Sequence, residues 1–263
     1  MVLVDTAKRM FKRLSNIFQG SACQKADLKH QFNYLSFGKT EGAPSQIIFL
    51  LHGYGRSAFF MTKVADEITA RMPDALVMAL EAPEELDLPQ NIDNQDYVLR
   101  IPEILMNDTV DQSLRRQWFS IQSGGIGEYQ DMTRRVAADL NAFISDKRDE
   151  YSLSDKQIGL MGFSQGAAVG LCASLTRESK LGCVVVHSGP FFGDYSDFRS
   201  KPSMLYLYGD NDEEFSASHF KLMRDQLKGY HSAIDTQVIK GLQHRTSSVS
   251  RKALAKYFEH KMM

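Results

Sequence analysis

From about residue 30 onward, short apolar runs alternate with segments whose apolar residues recur every three or four positions. QIIFLLHG (46–53), QIGLMGF (157–163) and LGCVVVHSG (181–189) are almost continuously apolar and short, which predicts strands covered on both faces. FNYLSF (32–37), ALVMALEAP (75–83), SMLYLYGD (203–210) and TQVIKG (236–241) are read as further strands. Helical spacing predicts helices over 58–72, ending before Pro73, and over 128–147. The second carries Tyr129, Met132, Val136, Leu140, Phe143 and Ile144 on one stripe. Three more are expected at 165–177, 216–229 and 246–261. Apolar strands alternating with amphipathic helices imply an α/β fold, with a mostly parallel central sheet and helices on both faces.

Two stretches break this rhythm. In MVLVDTAKRMFKRLSNIF the residues Leu3, Ala7, Met10, Phe11, Leu14, Ile17 and Phe18 share one helical side, and Lys8, Arg9, Lys12 and Arg13 the other. Residues 1–28 therefore form an N-terminal basic amphipathic extension, and 29–263 the α/β domain. The extension has four readings: peripheral membrane contact through residues 2–18, a partner-docking helix, a helix packed on its own domain, or a transit peptide that Asp5 counts against. The second stretch, 84–117, lacks glycine and is rich in Asp and Glu. A helix is expected to begin at Pro102, and the whole reads equally as a substrate-side lid or a surface insertion.

Composition narrows the class. The chain has 263 residues, 43% hydrophobic and 24% charged, with a formal charge of −1. That suits a soluble globular protein with a full core and gives no reason to expect nucleic acid. Cys23, Cys172 and Cys183 form an odd, sparse set, which argues against a disulfide framework and leads us to expect a cytoplasmic protein. No cysteine–histidine spacing suggests a metal, and no cofactor motif is present.

The chemistry centres on GFSQG (162–166), which matches G-x-S-x-G between a predicted strand and a predicted helix. Gly162 and Gly166 let the neighbouring backbone approach without a Cβ clash, so the turn can lift the Ser164 hydroxyl clear of the sheet. A serine hydroxyl needs a base to take its proton and an acid to hold that base, in the chain order Ser, acid, His. His219, His231 and His260 fall within or at the ends of helices and read as surface residues. His187 precedes any suitable acid. His244 lies in the loop between TQVI and the last helix, where the base belongs. The loop after SMLYLYG offers Asp212 as the acid and Asp210 as the fallback, the latter more suited to holding the turn by side-chain-to-backbone bonds. The oxyanion donors are expected to be the backbone N–H groups of Gln165 and of Tyr54, in LLHGYGRS. His52 in that loop reads as a structural hydrogen-bonder.

These pieces together resemble the phospholipase/carboxylesterase family of α/β-hydrolases, which includes acyl-protein thioesterases and small bacterial carboxylesterases. The matching segments are FLLHGYG, EAP (81–83), RQWFSI (116–121), GFSQGAA, VVVHSG, YGDNDEEF and GLQH, in the family's order over roughly 32–250. The resemblance implies the α/β-hydrolase fold and hydrolysis of a small-molecule ester or thioester bearing an acyl chain, without a cofactor. It also implies Asp212 as the acid, the second aspartate of G-D-x-D, and Trp118 and Phe119 near the acyl-binding face. Lysophospholipase-like ester cleavage is the leading expectation; S-acyl removal from proteins and an inactive binding protein on the same fold are the alternatives. Three departures stand out. The loop reads HGYGRS where HGLGD is usual, 84–117 is long, and His187 replaces a small or apolar residue, either packing behind the residues around the serine or lining the pocket.

Overall fold

The computed structural model describes residues 32–86, 115–121, 125–191, 196–231 and 234–263. The predicted N-terminal amphipathic helix and the helix expected from Pro102 lie outside them.

Among the described residues, seven strands form the main sheet: β1 (Tyr34–Gly38), β2 (Gln46–Leu51), β3 (Ala75–Leu80), β6 (Ile158–Phe163), β7 (Cys183–His187), β8 (Ser203–Gly209) and β9 (Ile234–Ile239). Their spatial order is β1-β3-β2-β6-β7-β8-β9. Only β1 runs antiparallel, pairing Tyr34 with Leu80 and Gly38 with Leu76. A second, two-stranded antiparallel ladder joins β4 (Glu84–Glu85) to β5 (Arg116–Gln117). The ends of the 84–117 stretch are thereby fastened side by side, a feature its charged sequence does not reveal.

The apolar strands are covered on both faces, and period-two geometry sorts their side chains. Ile47, Phe49 and Leu51 join one core cluster; Ile48 and Leu50 join the other. Met204, Tyr206 and Tyr208 divide from Leu205 and Leu207 in the same way. Two helices bring their apolar stripes to the second face: α1 (Thr62–Arg71), through Val64, Ala65 and Ile68, and α5 (Ser248–Met262), through Leu254, Ala255 and Phe258. The first face takes α2 (Ile126–Glu150), α3 (Gln165–Thr176) and α4 (Ala217–Tyr230). Of these α3 is buried almost throughout, from Gln165 to Leu175. Two helix starts are fixed by serines: Ser216 accepts the His219 N–H, and Ser247 and Ser250 cap α5 reciprocally.

Strand order reverses between β2 and β6. The chain leaves β2 for β3 on one side and later returns to lay β6 on the other. In open α/β sheets ligands bind outside the carboxyl ends of the strands at such a reversal. Ser164 stands at that point, directly after β6.

Candidate active site

The turn at Ser164 is held by backbone contact. Ser164 has φ 53° and ψ −120°, a left-handed conformation unusual for a residue with a Cβ. A Cβ on Gly162 would stand 2.3 Å from the Gly166 carbonyl oxygen, and one on Gly166 would stand 2.4 Å from the His52 carbonyl oxygen. Neither position tolerates any other residue without moving backbone. The Ser164 N–H donates to the His187 carbonyl at 3.0 Å, which ties the turn to the end of β7. Gln165 opens α3, so its N–H is among the donors that an α-helix leaves without an intrahelical partner.

The three residues singled out for proton transfer meet. His244 Nε2 lies 2.9 Å from Ser164 Oγ, and His244 Nδ1 lies 2.8 Å from Asp212 Oδ2. The Asp212 side chain is fully buried and its other oxygen, Oδ1, accepts the N–H groups of Glu214 and Phe215, both at 3.0 Å. A carboxylate held in this way accepts from Nδ1–H and leaves Nε2 with its lone pair facing the serine. Asp210 does separate work: its Oδ1 accepts the Gly241 N–H at 2.5 Å and so binds the two loops together. Glu213, which the sequence reading leaves without a role, accepts the His244 N–H at 3.0 Å. Phe163 and Phe215 pack on the His244 ring, with centroids 4.9 and 5.8 Å away.

The loop after β2 crosses close over the serine. A Cβ on Gly53 would lie 3.2 Å from Ser164 Cβ, so Tyr54, the next residue, is carried past the nucleophile's position. His52 fixes the loop's entry. Its Nδ1–H donates to the Gly53 carbonyl at 2.8 Å, and its Nε2 accepts the Ala82 N–H at 3.1 Å. Burial pulls this imidazole down to about 4, helped by the nearby Arg116 and Arg56. It is neutral at physiological pH, consistent with a structural hydrogen-bonder.

Trp118 and Phe119 are buried, at 0% and 2% exposure, and offer no open face. Their backbone is clasped by the Gln165 side chain, whose Oε1 accepts the Trp118 N–H at 2.9 Å while Nε2 donates to the Phe119 carbonyl at 2.8 Å. Trp118 Nε1 also donates to the His52 carbonyl at 2.7 Å. His187 is likewise buried, with its ring edge-on to Phe163 at 5.2 Å and Nδ1 3.1 Å from Ser188 Oγ. Burial, with a smaller push from His244, holds it down at about 3. His231, expected at the surface, is buried instead and hydrogen-bonds to the Pro202 carbonyl. It is the residue at which α4 ends, and helix periodicity carries no sign of its burial.

Comparison with known proteins agrees with this architecture. A family model described as Phospholipase/Carboxylesterase matches residues 90–262. Esterase YpfH of Escherichia coli (strain K12) is 24% identical over 203 residues, covering 76% of this chain and 75% of the relative. Among solved structures, esterase PE8 superposes with a TM-score of 0.71 at 18% identity, over 88% of this chain and 99% of that one. The Bacillus cereus carboxylesterase superposes with a TM-score of 0.63 at 15% identity, over 89% of this chain and 96% of that one.

Proposed function

The chain belongs to the phospholipase/carboxylesterase family, and from that premise we propose that it hydrolyses acyl esters through a Ser164–His244–Asp212 triad and an acyl-enzyme. The observation that carries this reading is the unbroken chain of contacts at 2.9 and 2.8 Å from Ser164 Oγ through His244 to Asp212.

In the first step His244 Nε2 takes the Ser164 proton as Oγ bonds to the substrate carbonyl carbon. The electron pair moves onto the carbonyl oxygen, where the Tyr54 and Gln165 backbone N–H groups stabilise the developing charge. The imidazolium, steadied by Asp212, then protonates the leaving alcohol or thiol as the tetrahedral carbon collapses to the acyl-enzyme. Water enters the leaving group's place, gives its proton to His244 and attacks the acyl carbon. The carboxylic acid departs as the proton returns to Ser164.

The test is hydrolysis of p-nitrophenyl esters from acetyl to palmitoyl length, with a thioester of matched acyl chain and with Ser164→Ala in parallel. A rate that peaks at one chain length and vanishes in the variant supports the reading, and the ester-to-thioester ratio assigns the leaving group. No turnover on any substrate, with no labelling of Ser164 by a fluorophosphonate, would make this a binding protein on a hydrolase fold.

We also propose that residues 2–18 bring the enzyme to an anionic membrane surface, because the spacing of their apolar and basic residues in the sequence would put the two on opposite sides of a helix. The full chain should co-sediment with anionic liposomes and a chain starting at Lys29 should not. Equal binding by both would refute the idea.

A further inference from the structure

Against the loop that crosses the serine lies a carboxyl group that the reaction as written does not use. Glu81 follows directly on β3, and its own N–H is fixed to the Asn33 carbonyl at 2.7 Å. Its side chain reaches sideways under the 52–58 loop, where Oε2 accepts the Ala58 N–H at 3.1 Å. Ala82, the next residue, donates its N–H to His52 Nε2 at 3.1 Å. Two consecutive residues at the end of one strand therefore grip both ends of a loop that leaves another. Between the grips lie Gly53, whose backbone abuts Ser164, and Tyr54.

The second oxygen, Oε1, is buried, has no hydrogen-bond partner among the described residues, and stands 3.7 Å from His52 Nε2. A fully exposed surface glutamate would orient both oxygens to water; this one keeps an oxygen inside at a desolvation cost. The charged and titratable groups that face the carboxyl are His52 from the β2 end and Arg116 from β5, with Arg56 acting on His52 from within the loop. Arg116 is itself braced, its Nε donating to the Ala82 carbonyl at 3.0 Å and its N–H to the Arg56 carbonyl at 2.9 Å.

We infer that Glu81 is a positioning residue for ester hydrolysis: together with Ala82 it clamps the 52–58 loop so that the Tyr54 N–H stands ready for the oxyanion formed at Ser164. The inference rests on the triad reading above and adds to it a residue that touches neither substrate nor nucleophile. Burial raises the Glu81 carboxyl from 4.5 to about 7, against the opposing pull of the Ala58 N–H and Arg116. The clamp therefore changes strength near neutrality. A carboxylate accepts the Ala58 N–H more strongly than a neutral carboxyl does, so the loop is held tighter above that point.

The experiment compares wild type, Glu81→Ala, Glu81→Gln and Ser164→Ala on one p-nitrophenyl ester between pH 6 and 8.5, well below each melting temperature. Donor misplacement acts on the transition state, so Glu81→Ala should lower kcat roughly tenfold to a hundredfold with KM changed by less than about threefold. Glu81→Gln retains an oxygen acceptor for Ala58 and should recover most of that loss at pH 6. The ratio of wild-type to Glu81→Gln kcat should then rise several-fold as pH passes through about 7. A kcat for Glu81→Ala within fivefold of wild type overturns the inference, as does a Glu81→Gln enzyme whose kcat ratio to wild type stays flat with pH. If Glu81→Ala does not fold, the Glu81→Gln ratio alone decides. Turnover surviving in Ser164→Ala would refute the triad reading itself; turnover lost there but intact in both Glu81 variants refutes only the clamp.

Discussion

Gly209 and Leu242 pack backbone against backbone: a Cβ on the glycine would stand 1.9 Å from the Leu242 carbonyl oxygen. This contact brings the loop of Asp212 and the loop of His244 to within hydrogen-bonding distance, and the Asn211 N–H reinforces it by donating to the same carbonyl at 3.2 Å. Gly209→Ala should therefore force the loops apart. We expect a stability loss of about 1–3 kcal/mol in urea denaturation, with a fall in kcat larger than that of a core variant of equal stability.

The two aspartates of the same loop separate cleanly by role. Asp212→Asn keeps the shape but no longer anchors the Nδ1–H tautomer of His244, and should reduce kcat about 10³–10⁴-fold with the fold intact. Asp210→Asn still offers Gly241 an acceptor oxygen and should leave kcat within a few-fold of wild type. Steady-state kinetics on the two variants, side by side, decide between them.

Gln165 contributes through its side chain as well as its backbone. Gln165→Leu leaves the Trp118 N–H and the Phe119 carbonyl buried without their partner, and should destabilise by roughly 2–4 kcal/mol. Chemical denaturation measures this, and near-ultraviolet circular dichroism should report the altered setting of Trp118, the protein's single tryptophan.

Stability should peak near neutral pH. His52 and His187 are held down at about 4 and about 3, against 6.5 unfolded, so the unfolded chain takes up their protons first as pH falls. Their contribution is complete above 6.5 and is lost on acidification. Glu81, raised from 4.5 to about 7, has the opposite sign: its contribution is complete below 4.5 and is lost as pH rises through 7. Between pH 5 and 6 two protons favour the unfolded state and one the folded state, so the net slope is about +1.4 kcal/mol per pH unit. The three opposing effects balance at about pH 7. Glu81→Gln should steepen the acid side and abolish the decline above neutrality, as melting temperatures across pH would reveal.

The alternation of apolar runs with helical stripes was enough to read the sheet, because strands covered on both faces leave no polar positions to blur the pattern. GFSQG likewise announced its turn, since two glycines two positions either side of a serine have few other uses between a strand and a helix. What stayed illegible depended on partners distant in sequence. Nothing local to Glu81 says that Ala58 waits across the loop, and nothing in His231 says that the Pro202 carbonyl will bury it. The β4–β5 ladder escaped for a related reason: two residues per strand, with Glu84 and Glu85 exposed, carry no periodicity to detect.

Glu84–Glu85 and Arg116–Gln117 hold the two ends of the intervening stretch at the spacing of paired strands, and Arg116 in turn bridges to Arg56 in the loop after β2. Whatever is spliced between these anchors begins and ends at the same two points. Doubling its length adds only about 0.6 kcal/mol of closure entropy. The stretch can thus change in length or sequence while its two ends, and with them the machinery around Ser164, stay where they are.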